Sequence, residues 1–291
     1  MLDVAAFAPF LARAVAEDVG AGDVTATTLV PADARTVADL VAKADGVLAG
    51  LPLFLPTVRV LDPDAQVEPR AADGDRVVPG QVLATVRARA RALLSTERTA
   101  LNVLRRLSGI ATLTARFVAA VAGLPVGVYD TRKTTPLWRD LEKYAVRCGG
   151  GRNHRLRLDD GAMLKENHLL AAYGTTGPAA IRDAVARLRA AVPTGLPVCV
   201  EVEDQAELEA VAGAGADVVM LDGFSLEALR RAVGWVRAQP PPRPALEATG
   251  TITLATVRAV AETGVDRVSV GALTHSAPAL DLSLRHRAHD G

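Results

Sequence analysis

From residue 126 to residue 270 the chain repeats one unit: a short apolar run, a turn, then a stretch with helical spacing. Apolar runs fall at 126–129, 162–164, 198–202, 218–221, 245–248 and 267–270, and amphipathic helical stretches at 179–192, 205–212, 226–237 and 254–263. Short runs buried on both faces with intervening helices require parallel strands joined by crossovers, so this part of the chain is an α/β barrel or a doubly wound sheet. Both architectures gather ligands at the carboxyl ends of their strands. The stiff QPPPRP segment at 239–244 is a connector and not a domain boundary, because the alternation resumes beyond it.

The first hundred residues read differently. Residues 2–17 predict an amphipathic helix with Phe7, Phe10, Leu11, Ala14 and Val15 on one side. A strand is expected from Thr36 and a short helix from Leu51. Two or three antiparallel strands follow, punctuated at Gly74 and Gly80. From Ser95 the spacing turns helical, with Arg98 and Asn102 on one side, and a second helix is expected over 111–121. A chain of 291 residues, 49% hydrophobic, has material for one large domain or two smaller ones. We expect an N-terminal α/β unit over 1–110, a barrel-like unit carrying the site over 111–275, and a tail at 276–291 that packs back on the first unit.

Several function classes drop out. No run of about 18 apolar residues is free of charges or breakers, and Asp3, Arg13 and Glu17 interrupt the N-terminal helix. A soluble, cytoplasmic protein with no membrane partner is expected. Cys148 and Cys199 lie in no metal-ligand spacing. With 3% aromatics and no net charge, the chain offers neither a stacking platform nor a basic face for nucleic acid. Small-molecule partners are expected.

Within this neutral chain, DTRKTTPLWRDLEKYAVRCGGGRNHRLRLDDGAMLKENH (130–168) gathers Arg132, Lys133, Arg139, Lys143, Arg147, Arg152, Arg155, Arg157 and Lys165. Such a run is either a solvated face or an anion site. Arg132 and Lys133 come just past one strand end and Lys165 just past the next, which favours the anion site. Gly149, Gly150 and Gly151 lack Cβ atoms and could let amides approach a bound anion. Glu201 and Asp222 end the next two strands, where carboxylates beside lysines suit Mg²⁺ or ribose hydroxyls. Glu203 shares Glu201's face but lies further past the strand end, so it is expected to be more exposed. Two late turns, at Gly250–Thr251 and Gly271–Ala272, sit where a barrel builds a phosphate site from backbone amides and helix N-termini.

DTRKTTP, LEKYAVRCGGGRNHR and KENH, with the later turns, resemble the quinolinate phosphoribosyltransferase family over about 17–284. The resemblance implies an α/β class protein of the type II phosphoribosyltransferase fold, an open α/β barrel with an N-terminal α/β sandwich domain. It implies the conversion of quinolinate and 5-phosphoribosyl-1-diphosphate to nicotinate mononucleotide, diphosphate and CO2, with Mg²⁺. Arg132, His154, Arg155 and Lys165 would then hold quinolinate. Lys133, Glu201 and Asp222 would serve ribose, diphosphate and metal, with Lys133, Lys165, Glu201 and Asp222 as the catalytic set. Thr249, Gly250, Thr251, Gly271 and Ala272 would bind the 5-phosphate side. Arg98 would reach the pyridine site of a neighbouring subunit in a homodimer with shared active sites, with a higher oligomer left open. His168 and His275 would be structural.

The chain departs from the family pattern at Tyr129, at Leu137 and Trp138, at Cys199, and at Thr249 and Thr251. Tyr129 and Trp138 flank the basic cluster and are expected to narrow or cover the pocket. Two other readings stay open on the sequence: a Schiff-base aldolase using Lys165 beside a phosphate cradle, and a relative of the same fold acting on another pyridine or anionic substrate.

Overall fold

The computed structural model describes residues 2–287, so Met1 and the last four residues of the expected tail lie outside the described residues. In chain order the elements are α1 (Ala8–Val19), α2 (Val24–Leu29), β1 (Arg35–Ala42), β2 (Gly46–Val47), α3 (Phe54–Arg59), β3 (Gln66–Pro69), β4 (Arg76–Val77), β5 (Val82–Arg89) and α4 (Ala90–Ala120). Then come β6 (Gly127–Tyr129), α5 (Arg139–Cys148), β7 (Ala162–Leu164), α6 (Glu166–Tyr173), α7 (Pro178–Ala191), β8 (Val198–Val202) and α8 (Gln205–Ala212). The chain closes with β9 (Val218–Asp222), α9 (Leu226–Ala238), β10 (Ala245–Thr249), α10 (Val257–Ala261), β11 (Arg267–Ser269), α11 (Ala272–His275) and β12 (Leu282–His286). Among the described residues no helix is long and apolar enough to cross a membrane.

The chain divides into two compact units that are not sequential. The first takes the residues up to Ala115, Leu141–Gly150 and the chain from Ser276 on; the second takes Arg116–Asp140 and Gly151–His275. The segment Leu141–Gly150, expected within 111–275, therefore counts with the first unit.

In the first unit an antiparallel sheet runs β12–β1–β5–β3. Ala38 on β1 pairs with His286 on one side and Val86 on the other, so the tail supplies an edge strand. Alternation on β1 turns Ala38, Leu40 and Ala42 to a core shared with Val86, Ala88, Leu282 and Leu284 and with Leu93, Leu101 and Leu104 of α4. The two helices expected from 95 to 121 are one helix of 31 residues. Gly109 in its middle is a packing residue and not a break: a Cβ there would lie 2.0 Å from the Pro278 carbonyl oxygen. Glycine within a helix costs about 1 kcal/mol, and here the close approach demands it. Charged residues of α5 are absorbed in this unit too, where Glu142 accepts from Arg106 Nη2 at 2.8 Å and Tyr144 donates to Asp73 at 2.6 Å.

The second unit holds a six-stranded parallel sheet in the order β6–β11–β10–β9–β8–β7. The first strand pairs with the last, and each of the others with its successor, which is the order of a barrel left open between β6 and β7. In place of a strand at that opening, Arg152 N donates to Val128 O at 2.8 Å and Asp130 N to Arg152 O at 3.0 Å. That contact sets the following residues, Asn153 to Arg155, beside the carboxyl end of β6. Asp204 and Ser225 cap α8 and α9 by accepting from Glu207 N and Ala228 N.

Candidate active site

The carboxyl ends of these strands surround a cavity of about 360 Å³, built entirely within the second unit and lined by Arg132, Lys133, His154, Arg155, Lys165, Glu201, Asp222, Thr249 and Gly250 among others. Four cations face two carboxylates there, so the pocket is cationic and suits a polyanion. Lys165 Nζ and Glu201 form a direct ion pair. Arg155 Nη1 donates to Gly161 O at 2.7 Å, while its Nε and that of Arg132 are buried donors with no hydrogen-bond partner in the protein. Such donors are costly unless a ligand takes them. Burial, and then the neighbouring Arg132 charge, lowers the Arg155 pKa.

His154 is held by its backbone. Asp130, fully buried, accepts from His154 N at 2.8 Å and from Asn153 Nδ2 at 2.6 Å. Arg155 N donates to His154 Nδ1 at 2.7 Å, which assigns the ring proton to Nε2 in the neutral imidazole. On the far side of the mouth Gly250 has φ +116°, and a Cβ there would come within 3.3 Å of Gly223 N and 3.5 Å of Asp222 Oδ1. Only glycine fits that crossing comfortably. Gly271 packs on the Lys133 stem, its would-be Cβ 3.0 Å from Lys133 Cδ, and Thr274 Oγ1 donates to Lys133 O at 2.8 Å.

Other expected members fall elsewhere. Thr251, Gly271 and Ala272 do not line the cavity, and the helical help expected at the two late turns is small, since α10 begins only at Val257 and α11 has four residues. Arg98 is exposed on α4 in the first unit. The nine cations of 130–168 do not act together. Lys143 is fully buried, Arg147 lies 5.6 Å from the Tyr144 ring centroid, Arg139 donates to Thr134 Oγ1, and Arg152 and Arg157 are exposed. Nor do the three glycines cradle a ligand: a Cβ on Gly149 would lie 2.3 Å from Ala111 O, and Gly150 turns the chain at φ +83°. Glu203 is exposed, as its place past the strand end predicts. His168 Nδ1 accepts from Lys165 N at 3.1 Å at the start of α6, a structural task, and His275 does not line the cavity.

The family model described as quinolinate phosphoribosyl transferase, N-terminal domain, matches residues 23–108, and the corresponding C-terminal domain matches residues 110–285. The chain belongs to the quinolinate phosphoribosyltransferase family. It is 42% identical to the nicotinate-nucleotide pyrophosphorylase [carboxylating] of Mycobacterium leprae, over 94% of each chain. It is 41% identical to a probable nicotinate-nucleotide pyrophosphorylase [carboxylating] of Synechocystis sp., covering 95% of this chain and 91% of that protein. The crystal structure of NadC from Streptococcus pyogenes superposes with a TM-score of 0.90 at 38% identity, covering 99% of both chains.

Against this family the departures at Tyr129 and Trp138 leave the pocket alone, because neither residue lines it. The Tyr129 ring instead lies under the Arg267 guanidinium, 4.9 Å away. Leu137, where the family pattern has glycine, is 87% exposed and takes φ +67°, a conformation unfavourable for a leucine. Cys199 is buried, and burial pushes its thiol up to about 11.

Thr131, Met163, Met220 and Ser269 line the cavity without having been expected from the sequence, and behind it a further residue was missed: Glu247, fully buried on β10. The available signal was an acid inside an otherwise apolar parallel strand, which such strands rarely carry. Burial raises its pKa, against the opposing effects of the Ser269 hydrogen bond and the Arg267 charge. The fold thus binds the proton more tightly than the unfolded chain, and stability is lost progressively as pH rises above the ordinary carboxylate value of 4.5. Glu247→Gln should flatten that decline, raising Tm more at about pH 8 than at about pH 5. Parallel Tm profiles for the two proteins would contradict the buried, proton-retaining carboxyl.

Proposed function

We infer that the protein is a quinolinate phosphoribosyltransferase, forming nicotinate mononucleotide, diphosphate and CO2 from quinolinate and 5-phosphoribosyl-1-diphosphate in NAD biosynthesis. The observation that carries this reading is a cationic cavity at the strand ends of an open barrel, in a chain that matches both domains of the family. Arg132 and Arg155, with buried unpartnered Nε donors, fit the two carboxylates of the pyridine substrate, since a guanidinium grips a carboxylate bidentately and keeps its charge. Lys165 and His154 Nε2–H complete that wall. Lys133, Glu201 and Asp222 serve the ribose and diphosphate. Thr249 and Gly250 line the 5-phosphate side, and the amides of Thr251, Gly271 and Ala272 would add to it.

Loss of diphosphate leaves an oxocarbenium-like ribosyl centre. The site must therefore neutralise the leaving group and hold the pyridine nitrogen in line, which is positioning and electrostatics. Once that nitrogen is alkylated, its positive charge stabilises the carbanion left at the adjacent carbon when CO2 departs, and a proton from solvent then fills that position to give nicotinate mononucleotide. The cations hold the substrate in place through this change.

Among the described residues no group of three or more histidine, cysteine or acidic side chains could hold a metal unaided. Glu201 and Asp222 nevertheless fit Mg²⁺, which characteristically takes one or two carboxylates together with substrate phosphates. When bound, Mg²⁺ supplies charge neutralisation to the diphosphate. The double variant Glu201→Gln, Asp222→Asn should lose activity on the order of 10²-fold or demand more Mg²⁺, while Glu203→Gln should stay within about twofold. A titration of rate against Mg²⁺ separates these, and sensitivity at Glu203 instead would overturn the assignment.

The Lys165–Glu201 pair weighs against the Schiff-base reading, because it makes the lysine a charge partner among other cations. The cytoplasmic setting and a homodimer with shared sites belong to the same proposal, the former supported by the free thiols of Cys148 and Cys199. Supplying carboxyl-labelled quinolinate, the phosphoribosyl donor and Mg²⁺ should release labelled CO2 in step with nicotinate mononucleotide. Neither product appearing would reject the function.

A further inference from the structure

A carboxyl group is a poor choice for packing a barrel interior. Beside Glu247 that interior is filled by Cys199, Val218 and Met220, with Met163 and Ala245 packed on them. A leucine at 247 would extend the apolar plug without desolvating an acid. Glu247 instead gathers polar groups from three directions. Ser269 Oγ donates to its Oε1, Arg267 Nη1 stands 3.9 Å from Oε2, and His154 Nε2 stands 3.7 Å from Oε1. His154 and Ser269 line the active-site cavity, whereas Glu247 lies behind them and does not.

The segment carrying His154 has no helix or strand of its own. Its backbone is anchored by Asp130, and the ring proton is assigned to Nε2, the atom nearest Glu247. At 3.7 Å that proton is not committed to the carboxyl, because a hydrogen bond needs about 3.2 Å or less. We propose that Glu247 is a positioning residue for recognition of the pyridine dicarboxylate: together with Ser269 it sets the direction in which His154 presents Nε2–H to a substrate carboxylate. This rests on the quinolinate reading above.

The charge state fits the task. The titratable and charged groups facing Glu247 are Arg267 of β11, His154, Asp130 after β6 and Cys199 of β8. Burial favours the uncharged acid, which backs the imidazole without repelling a dianion; the carboxylate form would compete with the substrate for the same Nε2–H.

Steady-state kinetics of the full chain, with each substrate varied in turn, test the idea on Glu247→Leu and Glu247→Gln. The leucine variant should raise the quinolinate KM on the order of tenfold, the value of one hydrogen bond, and leave the KM for the phosphoribosyl donor within about twofold. Glutamine, which can still accept from Ser269, should recover most of that loss. Because burial raises the Glu247 pKa, the quinolinate KM of wild type should rise as the carboxyl loses its proton with increasing pH, and glutamine should remove that rise, a readout that stands even if the leucine variant fails to fold. Wild type that makes no nicotinate mononucleotide sinks the function itself. Wild type that turns over normally, with both variants keeping its quinolinate KM and pH profile, or with both KM values moving together, sinks this inference alone.

Discussion

Lys165→Ala should lower turnover on the order of 10²- to 10³-fold while leaving the melting temperature nearly unchanged. Its side chain is 41% exposed at the start of α6 and belongs to no apolar cluster, so truncation opens no cavity. The ion pair with Glu201 is half exposed and contributes no more than about 1 kcal/mol to folding. The effect on chemistry is larger for two reasons that act together. Truncation removes a cation from the wall that holds the dianion, and it leaves the Glu201 carboxylate uncompensated in a cavity that must accept two anionic substrates. Lys165→Arg separates them, because it keeps the charge while changing its shape, and should fall between wild type and alanine. An alanine variant within about threefold of wild type would remove Lys165 from the site.

The parts of this site that were legible in the sequence are those fixed by strand ends. The carboxyl ends of β7, β8, β9 and β10 place Lys165, Glu201, Asp222 and Gly250 around one mouth, because parallel strands joined by crossovers must all end on the same side. The place of Glu203 past the end of β8, and not alternation, which gives it the face of Glu201, also put it in solvent correctly. Packing between distant segments was not legible. The helix expected from Ser95 and the one expected over 111–121 run on as one through Gly109, and only the approach of Pro278, 169 positions later, shows why glycine stands there. Lys143 and Arg147 look like members of an anion site because they follow Arg132 in sequence, yet Leu141–Gly150 folds with the first unit and takes them out of the cavity. Glu247 was overlooked because a hydrophobic run is read for its apolar members, and the one residue that breaks the run carries the information.

Mixing Arg98→Ala protein with Lys165→Ala protein, each nearly inactive alone, should restore roughly a quarter of wild-type activity. Every lining residue of the cavity comes from the second unit, and Arg98 is an exposed residue of α4 in the first. The acid beside it in sequence, Glu97, is engaged at 3.4 Å by His286 Nε2 of β12. An exposed arginine so placed has no packing task, and the family resemblance assigns it to the pyridine site of a second subunit. A two-fold dimer makes that assignment quantitative, because each site then combines Arg98 from one chain with Lys165 from the other. In a heterodimer one site carries both substitutions and the other carries neither. With free exchange at equal mixing about half the dimers are mixed, and each has one intact site of two, which gives the quarter. Exchange is checked independently by native mass spectrometry of two tagged forms. Exchange without recovery would place Arg98 in the site of its own chain or outside any site, and a monomer in solution would reject the shared site outright.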